Sequence, residues 1–76
     1  MLQIVAYVLI QAEPDKAWAI AEEASKLEGV KMVHTVTGLY DIIAYAEMES
    51  LEALKDLITR IHTIKGIQRT HTAISV

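Results

Sequence analysis

Thr35-Val36-Thr37-Gly38-Leu39-Tyr40-Asp41-Ile42-Ile43 lies at the middle of the 76-residue chain, and its reading decides the fold. β-prone runs flank it on both sides, Val30 to Thr37 and Asp41 to Glu47, and a glycine and an aspartate between them favour a tight reversal. The stretch therefore reads as a hairpin. Each arm of the hairpin leads into a helical pattern. Upstream, Ala17, Ile20, Ala21, Ala24 and Leu27 recur every three or four residues, with Pro14 at the first helical position, Asp15 in the first turn and Gly29 as the stop. Downstream, Ser50 caps a second helix whose apolar stripe is Leu51, Leu54, Leu57, Ile58, Ile61 and Ile64. Asp56 and Arg60 form an i,i+4 pair on its outer face, and Gly66 ends it. The outermost segments, Leu2 to Ile10 and Ile67 to Val76, read as strands. Glu28-Gly29-Val30 and Lys65-Gly66-Ile67 fall at equivalent points, so the chain is a duplicated strand-helix-strand unit in the order βαββαβ.

Right-handed crossovers and unknotted connections leave one common solution for that order. It is an α+β, ferredoxin-like domain spanning residues 1–76, a four-stranded antiparallel sheet with two helices on one face. The uncovered face of such a sheet is normally polar at every second position. Here Leu2, Ile4, Ala6, Val8 and Ile10 alternate with Val5, Tyr7 and Leu9, and Ile42, Ala44 and Ala46 alternate with Ile43 and Tyr45. Both faces are apolar. A domain of this size with 53% hydrophobic residues is marginal alone, so the second face is expected to pack on another subunit. The expected assembly is a homo-oligomer, a dimeric α/β-barrel type pair or a ring of such dimers, with Tyr7 and Tyr45 in the contact. Trp18 lies off the first helical stripe and fits either a subunit contact or a partly buried site.

Charge and composition exclude several function classes. The net charge is −3 and the lysines and arginines are scattered, which argues against direct nucleic-acid binding. The absence of cysteine rules out disulfides and thiolate chemistry and agrees with a reducing cytoplasm. The apolar run from Leu2 to Ile10 has no preceding lysine or arginine and is too short for a bilayer, so neither a secretory signal nor a membrane span is expected. His34, His62 and His71 show no metal-ligand spacing, and no nucleophile-base pair, phosphate loop or carboxylate dyad is recognisable. No catalytic residue, metal or cofactor is expected. Glu22, Glu23, Glu47 and Glu49 read as solvated faces.

Gly29-Val30, then Val36-Thr37-Gly38-Leu39-Tyr40-Asp41-Ile42-Ile43, then Gly66-Ile67 leading to Thr70-His71-Thr72, resembles the effector-binding (RAM) domain of Lrp/AsnC regulators. The resemblance spans essentially the whole chain, and Thr-Gly-x-Tyr-Asp is its most specific part. The helix-turn-helix unit that precedes this domain in those regulators has no counterpart in the 76 residues, so the chain resembles the stand-alone form. The resemblance implies an amino-acid effector held between neighbouring dimers, near the central loop and the last strand, by Gly38, Tyr40, Asp41, Thr70 and Thr72. It also implies that any effect on transcription comes through co-assembly with a DNA-binding Lrp/AsnC relative. The residue chemistry agrees: Asp41 suits an ammonium, while backbone N–H groups around Gly38 and the hydroxyls of Thr70 and Thr72 suit a carboxylate. The same residues equally fit a plain turn, with Gly38 supplying positive φ and Asp41 closing it. Two other classes share the strand order: small monooxygenase-like barrel enzymes, and ACT-type amino-acid domains. The glycine-rich connection of the latter is missing from Gln11-Ala12-Glu13-Pro14.

Overall fold

The computed structural model describes residues 3–76. Its elements are β1 (Ile4–Ala12), α1 (Ala17–Ser25), β2 (Val30–Thr35), β3 (Ile42–Met48), α2 (Leu51–His62) and β4 (Ile67–Ile74). They build one four-stranded sheet in the order β2-β3-β1-β4, each neighbour antiparallel. Each strand-helix-strand half thus joins two parallel strands with one strand between them, the ferredoxin-like arrangement expected from the element order. Leu2, assigned to the first strand from its sequence, lies outside the described residues.

The register explains the core. Ala6, Val8 and Ile10 of β1 stand opposite Ala46, Ala44 and Ile42 of β3, and all six are buried. Ile20 and Ala24 of α1 and Leu54, Leu57 and Ile61 of α2 close over them. Each buried Val, Leu or Ile contributes roughly 1.5–3 kcal/mol of transfer free energy. Ser50 caps α2 as its position suggests, its hydroxyl accepting the Ala53 N–H at 3.1 Å. Leu51 is the exception in the apolar stripe of that helix: it is 59% exposed.

The start of α1 differs from the sequence expectation. Glu13 donates its N–H to the Gly66 carbonyl at 2.8 Å, and its own carbonyl accepts from Lys16 at 3.1 Å. That turn holds Asp15 at φ 67, a left-handed conformation that breaks helical continuity. Pro14 and Asp15 therefore precede the helix, which begins at Ala17 with Lys16 at its N-cap and no acidic residue in its first turn. The strand ends also shift: β1 runs on to Ala12, β2 stops at Thr35, β3 begins at Ile42 and β4 stops at Ile74. A connection of six residues, 36–41, consequently replaces a tight hairpin turn.

The opposite face of the sheet carries Val5, Tyr7 and Leu9 of β1, Ile43, Tyr45 and Glu47 of β3, and Met32 and His34 of β2. Among the described residues no helix covers it. Tyr7 pairs with Tyr45 across the strands, with ring centroids 5.3 Å apart and planes tilted by 56°. Tyr7 is 43% exposed and Met32 52% exposed. The Tyr45 hydroxyl donates to Glu47 Oε2 at 2.8 Å, which holds its pKa above the ordinary phenol value.

Candidate functional site

Loop 36–41 is fastened at both ends and at its side. Val36 N–H donates to the Asp41 carbonyl at 2.8 Å, and Asp41 N–H donates to the Ile10 carbonyl at 2.9 Å. β1 extends past the start of β3, and at this overhang the Asp41 carboxylate accepts the Ala12 N–H at 2.8 Å through Oδ2. The Gln11 amide donates to the Leu39 carbonyl at 2.8 Å. Tyr40 reaches toward β4, where its hydroxyl is hydrogen-bonded to His71 Nδ1 and the two rings meet edge-on at 89°.

Inside this frame Gly38 has φ +122, a conformation that side-chain-bearing residues rarely adopt, although a Cβ there would meet nothing within 4 Å. The glycine answers a backbone demand and not a lack of room. Asp41 is half-buried, and its Oδ2 bond is charge-assisted because the acceptor is a carboxylate. A carboxylate has acceptor capacity for several donors, so one N–H does not saturate it.

The threonines sit elsewhere on the strand. Thr70 is opposite Ile10 and Thr72 opposite Val8, so both share the helix-covered side of the sheet, while His71, opposite Leu9, points to the uncovered side. Thr70 Oγ1 is hydrogen-bonded to His62 Nε2 at 2.8 Å, tying β4 to the last turn of α2. The structure thus gathers Gly38, Tyr40 and Asp41 in one loop and links that loop to β4 through Tyr40. It places Thr70 and Thr72 on the far side of the same strand. Gln11, His62 and His71 are not among the residues that the sequence marks as a site. The polar break that Gln11 makes at the end of the β1 apolar run is the one available signal. Among the described residues no three His, Asp or Glu side chains gather as metal ligands.

Strand order, register and helix placement define a ferredoxin-like α+β domain whose loop 36–41 is held at one end of the sheet. The family profile of the Lrp/AsnC ligand binding domain matches residues 5–76, and the chain belongs to that family. It is similar to an uncharacterised HTH-type transcriptional regulator of Pyrococcus abyssi, 37% identical over 73 residues, which are 95% of this chain and 46% of that regulator. The chain spans about half the length of the curated relatives it matches. Among solved structures, the protein TTHA0845 from Thermus thermophilus aligns with a TM-score of 0.92 at 34% identity, covering 96% of this chain and 92% of that one. A feast or famine regulatory protein from M. tuberculosis, complexed with L-methionine, aligns with a TM-score of 0.74 at 30% identity, covering 96% of this chain and 50% of that one. No helix among the described residues is long and apolar enough to cross a membrane.

Proposed function

We propose that this domain binds a free α-amino acid between neighbouring subunits and that the bound assembly acts on transcription through a DNA-binding member of the same family. The observation that carries the reading is loop 36–41, where a carboxylate is fixed beside a positive-φ glycine by its bond to β1, while further bonds to β1 and β4 hold the loop. A zwitterion needs a placed anion for its ammonium and N–H or O–H donors for its carboxylate. Asp41 supplies the first, and the backbone at Gly38, the Tyr40 hydroxyl and the Thr70 and Thr72 hydroxyls supply the second. The L-methionine in the M. tuberculosis relative supports the ligand class.

The subunits pair through the uncovered sheet face, where Tyr7, Leu9, Ile43 and Tyr45 would otherwise leave a contiguous apolar patch in water. Among the described residues there is no unit that reads DNA, and the net charge of the given sequence is −3. Co-assembly with a relative that carries such a unit is the route to a promoter. A barrel enzyme working between sheet and helices is disfavoured by packing: Ile20, Leu54, Leu57 and Ile61, at most 2% exposed, fill that space.

Calorimetric titration of the chain with each of the common amino acids, alongside native mass spectrometry, tests the reading. The expected result is saturable binding of one or a few amino acids to an oligomer. A folded protein that binds none of them would overturn the effector role and leave an oligomerisation module.

A further inference from the structure

The Tyr40 hydroxyl has a single proton to donate, and two acceptors compete for it. In the free protein this hydroxyl is hydrogen-bonded to Nδ1 of His71 on β4, and the two rings meet edge-on. A neutral imidazole that carries its hydrogen on Nε2 offers only a lone pair at Nδ1, so Tyr40 must donate to it. The amino-acid reading asks the same O–H to donate to a ligand carboxylate. Both bonds stand together only when Nδ1 is the donor, because the phenol oxygen then accepts from the ring while its own proton turns to the ligand.

We propose that His71 is a positioning residue of the amino-acid site: it takes up a proton as the ligand binds, donates through Nδ1 to the Tyr40 oxygen, and so aims the Tyr40 O–H at the ligand carboxylate. The proposal rests on the amino-acid reading above and adds its coupling to pH. The proton comes from solvent and stays on the ring, and no covalent bond between heavy atoms changes. Charge favours the imidazolium over a neutral ring with its hydrogen on Nδ1. Asp41 matches the ligand ammonium, which leaves the ligand carboxylate without a counter-charge, and an opposite charge nearby favours the charged form of an imidazole. His71 stands opposite Leu9 on the side of the sheet that no described helix covers. The charged and titratable groups facing it there are Arg69 on its own strand, Tyr7 on β1, and Tyr40 and Asp41 in the loop, with His34 farther off on β2. Guanidinium, phenol and carboxylate groups ordinarily keep their charge between about pH 5 and 8, whereas imidazole does not. The remaining imidazole, His62, is bonded to Thr70 on the helix side of β4.

Calorimetric titration of the 76-residue chain with L-methionine and each other common amino acid, in buffers of different ionisation enthalpy, tests the coupling. The heat should vary with the buffer as uptake of up to about one proton per site requires, and affinity should fall as pH rises between about pH 5 and 8, by up to about tenfold per unit. His71→Gln supplies an N–H donor that does not titrate, at an exposed position where the fold should persist. It should still bind, with affinity independent of pH and heat independent of buffer. His34→Gln and His62→Gln should keep the wild-type uptake. Nitrogen NMR of the wild-type imidazoles follows the same step without a variant: at the upper end of that pH range His71 should carry hydrogen on one nitrogen when free and on both when the amino acid is bound. Binding without buffer dependence, or proton uptake that survives His71→Gln, overturns the proposal and leaves the amino-acid reading intact. A folded chain that binds no amino acid overturns that reading, and this proposal with it.

Discussion

Replacing the Asp41 carboxylate separates a turn-closing role from a ligand-binding one, because the two roles carry different free energies. In the free protein the Asp41 carboxylate accepts one N–H, from Ala12, at 2.8 Å. Asp41→Asn keeps an acceptor in place and loses only the charge assistance. A bond to a charged group is worth about 1.5–3 kcal/mol and a neutral one about 0.5–1.5, so the change should cost about 1 kcal/mol of stability. Asp41→Ala strands the Ala12 N–H in a half-buried position and should cost about 1–3 kcal/mol. For a domain of this length each kcal/mol lowers Tm by about 4–8 °C. The ligand side is steeper: removing one charge of a desolvated ammonium-carboxylate pair costs about 2–5 kcal/mol, or roughly thirtyfold and more in Kd. Thermal melts at fixed protein concentration and calorimetric titration with the cognate amino acid read the two separately. Asp41→Asn should melt a few degrees lower and lose most of its affinity. Unchanged affinity beside a lowered Tm would refute the ammonium contact and leave Asp41 as a loop closure, whereas an unchanged Tm in Asp41→Ala would refute the loop argument itself.

Gly38→Ala should lower stability by about 1 kcal/mol through its positive φ alone, since space for the methyl group exists; a melt unchanged within error would contradict the strain argument. Tyr45 has a folded-state pKa raised by its bond to Glu47, so the stability it contributes is fully present below the ordinary phenol value of about 10 and is lost as pH rises through the raised value. Wild type and Tyr45→Phe should therefore differ in Tm at neutral pH and converge in alkali, and Glu47→Gln should move the ultraviolet titration of tyrosine to lower pH. Parallel Tm curves across that range would rule out the Tyr45 to Glu47 bond as the cause.

The fold is legible in the sequence because its periodicities are strong. The stripe Leu54, Leu57, Ile61 recurs at helical spacing, and the alternation of Ile42, Ala44 and Ala46 with Ile43 and Tyr45 fixes which residues share a face. What escapes the sequence depends on bonds between distant segments. Pro14 and Asp15 look like a helix start until the Glu13 N–H is committed to the Gly66 carbonyl, a contact between opposite ends of the chain. Leu51 fits the stripe by spacing, yet in the first turn of α2 it is left largely exposed. The fastening of loop 36–41 draws Gln11 from β1 and His71 from β4; the polar break at the end of the β1 apolar run marks Gln11, but no local pattern pairs either residue with the loop. The parity of β4 is hidden for a related reason. Ile67 to Ile74 does not alternate cleanly, so only pairing with Val8 and Ile10 shows that Thr70 and Thr72 face the helices.

That parity bears directly on where an effector would sit. Tyr40 and His71 meet on the uncovered side of β4, and Thr70 and Thr72 lie on the helix side. A single amino acid touching all of them within one protomer would have to wrap around an edge strand whose backbone stands in its path. Between protomers the difficulty disappears, because the loop of one subunit can approach the outer edge of β4 in another and meet its threonines from outside. Thr70 is already held by His62, so engaging it would exchange a hydrogen bond between β4 and α2 for one to the ligand. On the proposed reading, binding and assembly are then linked thermodynamically. A ligand that contacts two subunits stabilises their association by the same free energy by which association strengthens its binding.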